Sequence, residues 1–298
     1  MSDSLPDDLA ERRALAKAIS TIETGGAAAI EAEQQALQST FRAHVLGITG
    51  PPGAGKSSLV NALIPSALAG YGAVAVLAVD PSSTVSGGAL LGDRVRVDYR
   101  HFKQRVFFRS MASRGHQGGV AAATRAAINV LEAAGWPLVI VETLGIGQVE
   151  LDIIGLADQV AIVLNPGWGD GFQANKAGLT EQGDVFVINK ADRPGVEQTQ
   201  AQLNESLQCL PGAAPPEVFP TVAPDGGGVP ELWKHLRGLL AQDNSNQRSK
   251  RREGALLEAA HSALLEDFRG YLETTSHRES LPATASVAEL LADFYRSR

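Results

Sequence analysis

A chain of 298 residues carries 26 basic against 33 acidic side chains, for a formal net charge of −7. That is the wrong sign for a general nucleic-acid binder. With 44% hydrophobic and 20% charged residues, the composition excludes a disordered or fibrous chain.

No apolar run approaches the roughly 20 residues that a membrane-spanning helix needs. The acidic opening MSDSLPDDLAERR lacks the basic and apolar regions of a secretory signal. One cysteine, Cys209, excludes an internal disulfide framework and suits a reducing compartment. The expectation is a cytoplasmic protein that engages neither membrane nor nucleic acid.

Residues 7–38, rich in Ala, Glu, Gln and Leu, read as two helices broken at TGG (24–26). From His44 the texture changes to short apolar runs: HVLGIT (44–49), AVAVLAV (73–79), RVFFRS (105–110), PLVIVE (137–142), QVAIVLN (159–165) and DVFVINK (184–190), with a weaker EVFPTV (217–222). Helical patterns lie between them, among them SSLVNALIPSAL (57–68) and GGVAAATRAAINVLEAAG (118–135). Such alternation indicates a mostly parallel sheet covered on both faces. Ligands then collect beyond the carboxyl ends of the strands.

Beyond residue 240 the chain turns polar, and the basic run RSKRR (248–252) reads as a solvated linker in preference to a contact for an acidic partner. Leu257, His261, Leu264, Phe268 and Tyr271 then step by four and three into one apolar helical stripe. Ser286 with Glu289 forms a capping box ahead of Val287, Leu290, Leu291 and Phe294. These helices either fold back on their own domain or dock on a second subunit. The second alternative predicts a homodimer through residues 255–296, with the polar 241–254 segment letting the helix reach away.

The loops carry the chemistry. GITGPPGAGKSSLVNAL (47–63) contains Gly50, Gly55, Lys56 and Ser57 in the G-x-x-x-x-G-K-[ST] spacing, between an apolar run and a helical pattern. Glycines there let backbone N–H groups turn inward around phosphate oxygens, the lysine reaches the outer phosphates, and the serine hydroxyl can bind Mg²⁺. Gly53, Ala54 and Ser58 complete the cradle. The pattern specifies a nucleoside triphosphate site in a three-layer α/β P-loop fold. Its core is expected over residues 41–240, with helical extensions at 1–40 and 241–298.

Asn189, Lys190 and Asp192 follow DVFVI as N-K-x-D. An aspartate there accepts hydrogen bonds from N1–H and the exocyclic amine of guanine, a donor pair adenine lacks. Taken alone, NKAD is also a possible polar turn; after a phosphate loop it points to GTP or GDP. Asp80, Asp93 and Glu142 leave or follow buried runs as acids able to hold Mg²⁺, and Gly145 can donate a backbone N–H to the γ-phosphate. Lys56, Asp93 and Glu142 are the catalytic candidates. PSSTVSGGALLGD (81–93) reads as a switch segment. Six scattered histidines and one cysteine make no cluster for a transition metal. His116 in RGHQGG and Gln148 are weaker candidates, each open to a structural reading.

Taken in order, GITGPPGAGKSSLVNAL, VLAVDPSS, LLGDRVR, RSMASRGHQGGVAAATR, VIVETLGIGQVE and VINKAD resemble the MeaB/ArgK/MMAA GTPases over about residues 8–240. The resemblance implies a homodimeric G protein that serves an adenosylcobalamin-dependent acyl-CoA mutase, commonly methylmalonyl-CoA mutase, by gating cofactor transfer and by protection or reactivation. It implies Mg²⁺ near Ser57, Asp80, Asp93 and Glu142. It also assigns guanine recognition to Asn189, Lys190 and Asp192, with Thr221, Val222 and Ala223 as the final base loop. Adenosylcobalamin would belong to the mutase. The chain departs from the family pattern at Trp168 and Phe172 in NPGWGDGFQANKAGLTEQGD, at Arg94 in LGDRVRV, and in TVAPDGGG, which lacks the usual Ser-Ala pair. The rival readings are a P-loop kinase acting on a protein or small molecule, a metal-insertion GTPase, and a nucleotide-dependent scaffold without turnover.

Overall fold

The computed structural model describes residues 9–79, 105–111, 119–143, 155–167, 183–208, 215–242, 245–273 and 287–296. Seven strands form one sheet: β1 His44–Thr49, β2 Val74–Val79, β3 Val106–Met111, β4 Leu138–Thr143, β5 Gln159–Leu164, β6 Val185–Asn189 and β7 Glu217–Thr221. The order is β3-β2-β4-β1-β5-β6-β7, and every pairing is parallel. The weak seventh run is therefore a true edge strand, paired in register with β6.

Both faces of the sheet are covered, which is why β2, β4 and β5 are buried along their whole length. Alternate residues enter opposite layers. Val74 and Val76 join the core under α3 (Lys56–Tyr71) and α6 (Val229–Leu240). Ala75, Leu77 and Val79 join the core under α1 (Leu9–Thr24), α4 (Gly119–Ala133) and α5 (Val196–Gln208). On α6 the buried positions Val229, Leu232, Trp233, Leu236 and Leu240 keep the three-and-four spacing of an amphipathic helix.

The N-terminal extension is two helices, α1 and α2 (Ala27–Leu37), broken at the predicted glycines. It is fastened to the edge of the sheet. Arg109 on β3 pairs with the fully buried Glu23 and donates to Ser20 Oγ at 2.9 Å. Arg12 donates to Val106 O and lies over the rings of Phe107 and Trp136.

The C-terminal region corrects the linker expectation. Helix α7 runs from Ser245 to Glu273, so RSKRR lies inside a helix, and Arg251 is only 8% exposed. Its guanidinium donates to Asp158 Oδ1 at 2.6 Å, to Glu132 Oε1 at 2.7 Å and to Ala43 O at 3.2 Å. Arg252 donates to Leu37 O, and Gln247 to Ala157 O. The run is polar because it meets buried carboxylates, so it cannot release the helix as a solvated tether would.

Farther along α7 the stripe divides. Phe268 and Tyr271 pack on Phe294 of α8 (Val287–Arg296), with ring centroids 5.2 and 5.5 Å apart, and Phe294 is buried. Leu257 and Leu264 remain 65% and 49% exposed. Ser286 of the expected capping box lies outside the described residues.

Candidate nucleotide-binding site

The chain enters the sheet at β1, moves to β2 and β3 on one side, and later crosses to β5 on the other. A crevice opens at such a reversal, beyond the carboxyl ends of the strands. The loop 50–55 sits there, between β1 and α3.

Two glycines of this loop are required by their surroundings. Gly50 has φ +144°, and a Cβ on it would meet Val163 O at 2.0 Å, so the loop lies against the backbone of β5. Gly55 has φ +92°, and a Cβ there would meet Asn189 Nδ2 at 2.3 Å. Both backbones are in the left-handed region that favours glycine. The second position serves the approach of another strand as well as the turn, which the spacing of the motif alone does not disclose.

Asn189 ends β6, is 1% exposed, and is engaged at both ends of its amide. Nδ2 donates to Ala54 O at 3.0 Å and Gly55 O at 3.3 Å. Oδ1 accepts from Thr221 Oγ1 at 3.3 Å and from Ala223 N at 3.2 Å. Ala191 N donates to Thr221 O at 2.9 Å, and Val222 N donates to Gly227 O. Lys190, with φ 60°, donates from Nζ to Gly53 O at 2.5 Å. The phosphate-loop candidates and the N-K-x-D candidates, far apart in sequence, are thus one hydrogen-bonded body. Asp192 stands exposed beside it, its carboxylate open to solvent.

Lys56 is 5% exposed, and its Nζ donates to Gly50 O at 2.6 Å and Pro51 O at 3.0 Å. Ala54 is fully buried beneath the loop, and Ser58 is exposed on α3. Ser57 Oγ donates to Glu142 Oε1 at 2.5 Å, and Glu142, 3% exposed, is the penultimate residue of β4, beside Ile48 of β1. A hydroxyl and a carboxylate oxygen drawn together from two elements are the hard donors Mg²⁺ takes, so these residues fit the ion. Such an ion would neutralise charge on phosphate oxygens. Asp80, Asp93 and Gly145 lie outside the described residues, as do Arg94, His116, Gln148, Trp168 and Phe172. Among the described residues no cluster of three or more His, Cys, Asp or Glu could hold a metal. No described helix is long and apolar enough to cross a membrane.

The family model for methylmalonyl Co-A mutase-associated GTPase MeaB matches residues 15–270. The chain belongs to the MeaB family. It is a GTPase, which sets aside a scaffold without turnover. The Pyrococcus horikoshii protein named "Putative GTPase" is 45% identical over 233 residues, covering 76% of this chain and 73% of that one. The mouse "Methylmalonic aciduria type A homolog, mitochondrial" is 30% identical over 290 residues, covering 90% of this MeaB-family chain and 68% of its own. The crystal structure named as the LAO/AO transport system kinase matches with a TM-score of 0.58 at 23% identity, over 96% of this chain and 97% of that one. That likeness bears on fold alone, and it supports the P-loop α/β architecture.

Proposed function

We propose that this MeaB-family GTPase is a nucleotide-dependent chaperone of an adenosylcobalamin-dependent acyl-CoA mutase. It gates entry of the intact cofactor and protects or reactivates the loaded enzyme. The observation that carries the reading is the Asn189 junction, set in a family described by association with methylmalonyl Co-A mutase. In this reading the loop 50–55 with Lys56, Ser57 and Ser58 cradles the phosphates, and Asp192 and the 221–223 loop hold guanine. Ser57 and Glu142, with Asp80 and Asp93, hold Mg²⁺, and Gly145 meets the γ-phosphate. Because Asn189 joins the two halves, the nucleotide is gripped at both ends by one rigid piece. Slow hydrolysis in isolation and different switch conformations with GTP and GDP would couple turnover to the mutase.

One experiment tests base and partner together. Methylmalonyl-CoA mutase is captured on the wild-type protein with a non-hydrolysable GTP analogue, with GDP, or with no nucleotide. Capture should depend on which nucleotide is present. In Asp192→Asn, GTP affinity should fall by about 2–4 kcal/mol, the worth of two charge-assisted hydrogen bonds. A xanthosine analogue should restore capture, since the new amide donor meets the acceptor that xanthine carries in place of the amine. Unchanged GTP affinity removes Asp192 from the base site. Capture indifferent to nucleotide removes the chaperone reading.

We also propose a homodimer through the exposed face of α7. Light scattering should give a dimer for the full chain and a monomer for Leu257→Glu/Leu264→Glu. Both leucines are exposed, so the substitutions leave the domain core untouched. A monomeric wild type overturns the dimer, and a dimeric double variant moves its interface elsewhere.

A further inference from the structure

Where α7 leaves the domain it crosses α2 and α4, and the contact is not purely apolar. Leu37, Ala255 and Ala259 pack together in the seam. Beside them Glu33 of α2 is 2% exposed, and its Oε1 has no hydrogen-bond partner. Two charged groups act on it: Glu258 from α7 and Arg125 from α4. Among the described residues no charged group of α1, which packs on α2 from its other side, acts on it.

Arg125 cannot satisfy both carboxylates. Its Nη1 donates to Gly254 O at 3.0 Å and lies 4.0 Å from Glu258 Oε2, and its Nε is buried without a partner. Nearby on α4, Asn129 is 7% exposed and also leaves its Nδ2 unpaired. The seam therefore holds two carboxyl groups and one shared guanidinium, with one carboxyl sealed from water. A buried, unpaired carboxylate facing a second negative charge is unfavourable, whereas the neutral acid is tolerated.

We propose that this seam is a protonation-controlled latch: protonated Glu33 lets α7 close against α2 and α4, and loss of its proton to solvent loosens the helix that bears Leu257 and Leu264. The latch needs no nucleotide, so it stands or falls apart from the GTPase reading. Burial, reinforced by Glu258 and opposed by Arg125, pushes the Glu33 carboxyl up to about 7 from an ordinary 4.5. The closed seam thus binds the proton that the open one releases. Its stabilisation is complete below the ordinary value and is lost as pH rises through about 7.

Glu132, held by Arg251 nearer the start of α7, is also pushed up to about 7 by burial, so global unfolding would mix the two groups. The test must be local. Hydrogen exchange of the full-length protein is followed by mass spectrometry in peptides covering 255–273, at pH 6 and pH 8.5 and at intermediate values that locate the midpoint, with rates corrected for intrinsic exchange. Moving from 4.5 to about 7 on closure predicts that protection falls about tenfold across this interval.

Glu33→Gln should keep the helix equally protected at both values. Glu258→Gln, at a partly exposed site outside the apolar core, should move the wild-type midpoint to lower pH. Wild-type protection that ignores pH overturns the latch. So does a tenfold loss that survives in Glu33→Gln, because it would belong to Glu132. Should Glu33→Gln fail to fold, an unshifted midpoint in Glu258→Gln decides against the proposal on its own.

Discussion

Lys56→Ala should abolish GTP hydrolysis while leaving the protein folded. The ammonium is nearly buried, and without nucleotide it is held by the carbonyls of Gly50 and Pro51. Those are neutral partners that a triphosphate can outbid. With phosphate present, the same group supplies a full positive charge to the outer oxygens, where charge develops in the transition state. Loss of one pre-positioned donor at such a point costs on the order of 10²–10³ in rate, and a cation costs more. The fold loses hydrogen bonds to two loop carbonyls, each worth roughly 1–3 kcal/mol, while the apolar layers on either side of the sheet keep all their own side chains. Phosphate release read beside thermal unfolding separates the two effects. Wild-type hydrolysis in the variant would remove the phosphate-loop assignment.

Arg251→Ala should do the reverse, with a large loss of stability and intact GTP affinity in the folded fraction. Asp158 and Glu132 are 1% and 4% exposed, and Arg251 is the cation that meets both within 2.7 Å. Asp158 Oδ2 also accepts Val45 N, and Glu132 Oε1 accepts Ala43 N, so neither carboxylate can turn away. Removing one partner from a buried cluster of this kind costs about 3–5 kcal/mol. The cluster lies at the amino-terminal ends of β1 and β5, opposite the loops proposed to bind nucleotide, so the affinity should hold. Urea unfolding of wild type, Arg251→Ala and Arg251→Lys checks this. Lysine keeps the charge but loses the fork, and should fall between the other two. Wild-type stability in the alanine variant would show that water reaches the carboxylates. By the same argument, truncation after Ala241 is expected to unfold the domain rather than free it from its arm.

Every strand among the described residues was legible, because a parallel sheet buried on both faces writes itself as unbroken apolar runs, and even the weak EVFPTV run is a strand. The loop 50–55 and N-K-x-D were legible as short patterns with a mechanism. Their junction was not, since nothing in either pattern says that the missing side chain of Gly55 is the space Asn189 occupies. The start of α7 was misread for a related reason. A local window sees RSKRR as charge seeking water, whereas the partners of Arg251 lie 93 and 119 positions earlier. Nothing in the Ala- and Glu-rich run of α2 marks Glu33 for burial, and only the crossing of three helices makes it buried.

The Arg251 cluster also sets a clock on synthesis. Asp158 leaves the ribosome 93 residues before the arginine it pairs with. At about 5–20 residues per second, that interval is roughly 5–20 seconds. During it strands β5, β6 and β7 are made, yet Asp158 waits for its cations and Glu132 has only Arg42, whose Nη1 lies 3.7 Å from it in the finished domain. A nascent chain in that window is best served by staying open at the amino-terminal edge of β1 and β5, with those carboxylates in water. The domain is therefore expected to close late, from its C-terminal side, and a chain stalled before residue 251 should be more open to proteases than the finished GTPase.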